Sequence, residues 1–192
     1  VGAIYTVGPY LFPRLVTRLQ ELAPGMPLFI EESYTASLRG KLSGGKLDAI
    51  FVALPFTETD VLTRPVYEEP FVVMMPPEHP LAAARQIDPH EVALHRVLLM
   101  GEGHCFRDQV LEACPGLREA ISATHARGSS VLEGSSLETL KHMVASGLGV
   151  TVLPKSAANE ATYGEHALAV RPFSEPAPQR SVALAWRASY PR

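Results

Sequence analysis

The chain has 192 residues, of which 46% are apolar and 19% charged, and its net charge is −3. This much apolar content argues against a disordered chain, and no apolar run reaches the ~20 residues of a membrane helix. The Lys and Arg residues are scattered, so this stretch lacks the electrostatic footprint of nucleic-acid binding.

Strand-like and helix-like segments alternate. The chain opens on Val1 without a Met, which reads as the start of a fragment, so a missing signal peptide says little. Gly2–Thr6 reads as a short strand. Gly8-Pro9 opens a helix in which Tyr10, Leu11, Leu15, Leu19 and Leu22 recur at helical spacing, and Pro24-Gly25 stops it. Pro27–Glu32 is a second strand, Thr35–Leu42 a second helix, and Leu47–Leu54 an apolar run suited to a parallel strand buried on both faces. This is βαβαβ, the unit of a doubly wound sheet.

A second cycle follows. Phe71–Met75 and Val97–Met100 read as strands and Phe106–Ala113 as a helix. Ser135-Ser136-Leu137-Glu138 is a capping box that opens a helix over 136–146. Gly149–Leu153 is a strand and Pro154–Ala161 a helix. Ala167–Val170 and Ser181–Trp186 are late strands. Pro115–Glu133 reads as a mobile polar connection and Pro172–Arg180 as a surface loop.

The expected fold class is α/β, with two Rossmann-like subdomains linked by two crossover segments. Ser181–Trp186 has no helix after it and is expected to complete the first sheet. Residues 1–70 with 172–192 then form subdomain I, and residues 71–171 form subdomain II.

Two cysteines, Cys105 and Cys114, without any CxxC, offer neither a structural zinc site nor a disulfide scaffold. The informative run is Gly101-Glu102-Gly103-His104-Cys105-Phe106-Arg107-Asp108-Gln109. Cys105 falls at a helix start, where unpaired N–H groups and the macrodipole favour an anion. His104 and Arg107 add positive or proton-donating character, and together these features favour a reactive thiolate. Phe106, Val110, Leu111 and Cys114 share one helix face, so Cys114 is expected in the core. Nine residues separate the thiols, roughly 13 Å along a helix at ~1.5 Å per residue. A disulfide needs Cα atoms within about 7 Å, so any bond between them would unwind the helix. Taken alone, a Gly-His-Cys turn is more often structural than reactive.

The wider pattern is more specific. Thr6-Val7-Gly8-Pro9-Tyr10-Leu11, Ser43-Gly44-Gly45-Lys46-Leu47-Asp48, Ser136-Leu137-Glu138-Thr139-Leu140 and Met143-Val144-Ala145-Ser146-Gly147 occur in the order seen in regulatory domains of LysR-type transcription regulators. The Gly-His-Cys-x-Arg-Asp-Gln run resembles the hydrogen-peroxide-sensing branch of that family. The resemblance implies a periplasmic-binding-protein-like fold and a regulator rather than an enzyme. It implies that peroxide oxidises Cys105 to a sulfenic acid, which Cys114 resolves to an intramolecular disulfide.

It further implies that Thr6, Thr35 and His104 bind peroxide, with Gly103, Arg107 and Asp108 as the surrounding polar shell. Helix capping is an equally good local reading for Thr6 and Thr35. No cofactor or metal is expected. The implied partners are hydrogen peroxide, further copies of the chain in a homodimer or homotetramer, and a glutaredoxin- or thioredoxin-type reductant. Promoter DNA would be bound through an N-terminal DNA-binding domain outside this chain, in the cytoplasm. A LysR-type domain that binds a small organic inducer is the main alternative. A periplasmic solute-binding protein and a thiol peroxidase are the others.

Overall fold

The computed structural model describes residues 1–126, 132–158 and 168–189. The chain divides into two compact units, Val1–Glu68 with Arg180–Arg192, and Glu69–Gln179.

In the first unit, strand β1 (Gly2–Ile4) leads to helix α1 (Gly8–Leu22), strand β2 (Glu31–Ser33), helix α2 (Thr35–Ser43) and strand β3 (Ala49–Ala53). β1 lies parallel to both β2 and β3, pairing Gly2 with Glu31 and with Ile50. These are the crossovers that the βαβαβ pattern requires. Ile50, Phe51, Val52 and Ala53 are all buried, as expected for a central strand. β2 is shorter than the sequence suggests: Pro27–Ile30 stays outside the ladder, and Phe29 and Ile30 are exposed.

Strand β4 (Val61–Met75) carries the chain into the second unit. There follow helix α3 (Pro89–Val92), strand β5 (Val97–Met100), helices α4 (Cys105–Ala113) and α5 (Leu117–Ala126), strand β6 (Glu133–Gly134), helix α6 (Leu137–Ala145), strand β7 (Val150–Pro154) and strand β8 (Ala169–Pro172). β7 and β8 flank β4, both antiparallel, while β5 is parallel to β7 and β6 parallel to β5. The core gathers Phe71, Met74, Leu98, Phe106 and Leu140, with the Phe71 and Phe106 rings edge to face at 5.2 Å. Ser136 caps α6 by accepting the Thr139 N–H at 3.1 Å, one residue later than the Ser135-to-Glu138 capping box implies, and Glu138 accepts from Lys141.

Strand β9 (Gln179–Arg187) returns to the first unit and pairs antiparallel with β3, Ala49 opposite Trp186. The second passage between units therefore falls at residues 179 and 180 rather than at 171 and 172. The cause is β8, whose Pro172 pairs with Val72 and keeps this segment in the second unit.

Three local expectations change. The connection after Cys114 begins as a helix, α5, whose Leu117 is buried, and residues 127–131 of it lie outside the described residues. The helix expected over Pro154–Ala161 is a short 3₁₀ turn at Lys155–Ala157, and residues 159–161 lie outside the described residues. The Pro172–Arg180 segment is not simply surface, because Phe173 and Arg180 are both buried.

Candidate functional site

The second unit builds a turn between β5 and α4. Arg107 fixes its base: Nη1 donates to the Met100 carbonyl at 3.0 Å and to Glu133 Oε1 at 2.6 Å. The Gly101 N–H donates to the Gly134 carbonyl, tying the same turn to β6. Gly103 has φ +88°, a left-handed conformation that costs glycine little. The chain then straightens at His104, the N-cap residue, and Cys105 becomes the first residue of α4. Cys105 is half-buried, and neither it nor Cys114 is in a disulfide.

The backbone N–H groups of the first turn of α4 surround the Cys105 position with partial positive charge. Arg107 adds less than its charge suggests, because its guanidinium is paired with Glu133. Asp108 is exposed in the first turn, an ordinary place for an acid. His104 is 7% exposed. Burial pushes its imidazole below the ordinary histidine value, and a hydrogen bond to the Ser135 backbone works the other way. His104 is thus a neutral ring rather than a positive charge.

Cys114 differs in every respect. It is fully buried, closes α4 through an N–H donated to the Val110 carbonyl, and burial pushes its thiol up to about 12. α4 is helical from Cys105 to Ala113, so the two cysteines stand roughly 13 Å apart by helical rise. A bond between them requires α4 to come apart.

In the first unit, Tyr5 and Tyr34, the chain neighbours of Thr6 and Thr35, stack edge to face at 5.3 Å. Neither threonine caps a helix: α1 starts at the Val7 cap and α2 at the Tyr34 cap, both without a side-chain bond. The buried Arg180 donates to Thr6 Oγ1 and to the Thr6 carbonyl, each at 2.8 Å. Since Thr6 Oγ1 accepts from Arg180, its own proton points elsewhere. Thr35 Oγ1 is buried with no hydrogen-bond partner among the described residues. Buried hydroxyls in that state are rare and mark a place where a small polar ligand or water belongs.

Two residues escaped the sequence reading. Gln109 lies one helical turn after Cys105, and its Oε1 is buried without a partner among the described residues. The i, i+4 spacing within the Gly-His-Cys run was the available signal. Arg180 had none, since nothing local links it to a threonine 174 positions away.

The comparisons with known proteins agree with this architecture. The whole chain, residues 1–192, matches the LysR substrate binding domain family, and it belongs to that family. Within the family, the solved structures it resembles include OxyR proteins. It is 56% identical to the reduced form of the OxyR regulatory domain from Pseudomonas aeruginosa, covering 100% of this chain and 89% of that one, with a TM-score of 0.88. It is 42% identical to a reduced form of OxyR from N. meningitidis, covering 98% and 86%, with a TM-score of 0.89. Among curated proteins, it is 38% identical over 187 residues to a probable hydrogen peroxide-inducible genes activator from Streptomyces viridosporus. That match covers 97% of this chain but 58% of the relative.

Proposed function

We propose that this chain is the sensing part of a transcription regulator that responds to hydrogen peroxide, with Cys105 as the reacting thiol. The observation that carries the reading is the contrast between the thiols: Cys105 is half-buried at a helix N-terminus, and Cys114 is sealed in the core at the other end of the same helix. The similarity to OxyR regulatory domains and to a peroxide-inducible genes activator supports the choice of oxidant.

The chemistry balances in two steps. The Cys105 thiolate attacks one peroxide oxygen, the O–O bond breaks, and the sulfenic acid forms with release of hydroxide, which becomes water on protonation. Cys114 then attacks the sulfenic sulfur, giving a disulfide and a second water. A glutaredoxin- or thioredoxin-type dithiol returns both cysteines to thiols. The second step needs α4 to open, and that refolding is the signal.

In this reading Thr6, Thr35 and His104 hold peroxide, and Gly103, Arg107 and Asp108 shape the turn. Arg180 supports the role of Thr6, because it leaves the threonine proton to donate. The change is passed to further copies of the chain in a homodimer or homotetramer, and to promoter DNA through a separate N-terminal domain. No helix among the described residues is long and apolar enough to cross a membrane, which fits a cytoplasmic regulator.

The test is peptide mapping by mass spectrometry after one equivalent of peroxide. A single Cys105–Cys114 disulfide is expected, with Cys114→Ser stopping at a trappable sulfenic acid on Cys105. Disulfide-linked species that do not involve Cys114, or a variant that behaves like the parent, would remove the resolving role.

A further inference from the structure

We propose that Glu133 is a positioning residue that sets how readily the Cys105–Cys114 disulfide closes, acting through Arg107, an inference that rests on the peroxide-switch reading of the two cysteines. Arg107 stands between them, two residues after Cys105 and seven before Cys114. The cysteines lie roughly 13 Å apart along α4, and a disulfide needs their Cα atoms within about 7 Å. The shortening falls on the segment that carries Arg107. The groups that hold Arg107 lie outside that segment: Met100 ends β5 and Glu133 opens β6. Its contacts therefore belong to the dithiol form, and closing the disulfide gives them up.

The contacts are well placed. One nitrogen, Arg107 Nη1, reaches the Met100 carbonyl at 3.0 Å and Glu133 Oε1 at 2.6 Å. The backbone on either side of Glu133 is tied to β5. The Leu99 N–H donates to the Leu132 carbonyl at 3.2 Å and the Gly101 N–H to the Gly134 carbonyl at 3.0 Å. The Arg107 side chain is 13% exposed and that of Glu133 33%, so water screens this pair less than one on the open surface. A short bond between opposite charges is also stronger than a neutral one. Asp108 and Glu112, the other charged residues of α4, are exposed and join no ion pair among the described residues. Glu133 lies 26 positions from Arg107, so the Gly-His-Cys run does not announce it.

An interaction made in only one of two states shifts their balance, and one made in both shifts nothing. Glu133 thus weights the balance toward the dithiol and keeps α4 closed until Cys105 is oxidised. A general loss of stability behaves differently. It lowers the dithiol and disulfide forms together and leaves their ratio unchanged.

The test is equilibration of the purified chain in mixtures of reduced and oxidised glutathione, for the parent, Glu133→Gln, Arg107→Gln and the double variant. Two thiols of the chain become one disulfide as one oxidised glutathione becomes two reduced, so the ratio of the forms gives the equilibrium constant. Glu133→Gln should raise the constant for the disulfide at least about threefold. The same substitution should add nothing in Arg107→Gln, because the partner is already gone. Equal constants in the parent and Glu133→Gln, or the same rise with and without Arg107, would overturn the inference and leave the switch itself standing. A parent that forms no Cys105–Cys114 disulfide with either glutathione or peroxide would overturn the switch reading, and the inference with it.

Discussion

Cys114 yields the sharpest physical prediction. Its thiol ionises near 12 in the folded chain against an ordinary 9.0. That difference lowers the thiolate fraction at neutral pH about a thousandfold, at tenfold per unit. Alkylation follows the thiolate, and the side chain is fully buried, so access is denied as well. Native chain is treated with iodoacetamide at pH 7.5, quenched over time and read peptide by peptide, with urea-unfolded chain as reference. Cys105 should label readily, and Cys114 about a thousandfold more slowly than in the unfolded chain, with local opening of α4 setting the floor. The same burial has a sign in stability. Below pH 9 folded and unfolded chains both keep this proton. Between pH 9 and 12 only the unfolded chain releases it, so stability falls by about 1.4 kcal/mol per unit. Urea unfolding at pH 8 and pH 10 should show the parent losing roughly that much more than Cys114→Ala. Labelling of Cys114 within tenfold of its unfolded rate would refute the buried thiol and, with it, the need to unwind α4.

Two further outcomes follow from single residues. His104 is held below its ordinary value, so below about pH 6.5 the unfolded chain takes up a proton that the folded chain resists. Parent stability should fall between pH 7 and pH 5 more steeply than that of His104→Gln, and parallel urea curves would contradict the neutral ring. Gly149 has φ +153°, and a Cβ there would meet the Arg96 carbonyl at 2.3 Å, the same carbonyl that accepts the Val150 N–H. Gly149→Ala should cost at least about 2 kcal/mol, read as a lowered midpoint in thermal unfolding.

Much of the fold was legible because its signals are local. The apolar run over β3, the serines before α6 and the helical face of Phe106, Val110 and Leu111 each state their own element. α5 escaped the sequence pattern because half of its residues are polar and its buried anchor, Leu117, follows the breaker Pro115-Gly116. The C-terminal end of the second unit lies beyond the expected one because β8 is defined by pairing with β4 across almost a hundred residues. The site divides in the same way. Cys105 and Cys114 could be told apart from helix position alone. Arg180 could not be found, since its link to Thr6 exists only once β9 has returned beside β3. Nor could the capping reading of Thr6 and Thr35 be rejected before the caps of α1 and α2 were seen on Val7 and Tyr34.

The central claim is that Cys105 is a peroxide-reactive thiol, and its oxidation rate tests this most directly. Stopped-flow mixing of the reduced chain with hydrogen peroxide, followed by thiol counting, should give a rate constant on the order of a hundredfold or more above free cysteine. Two thiols should be lost per peroxide, and none at that rate in Cys105→Ser. A Cys105 that reacts no faster than free cysteine, or a Cys105→Ser chain that consumes peroxide like the parent, would contradict the account.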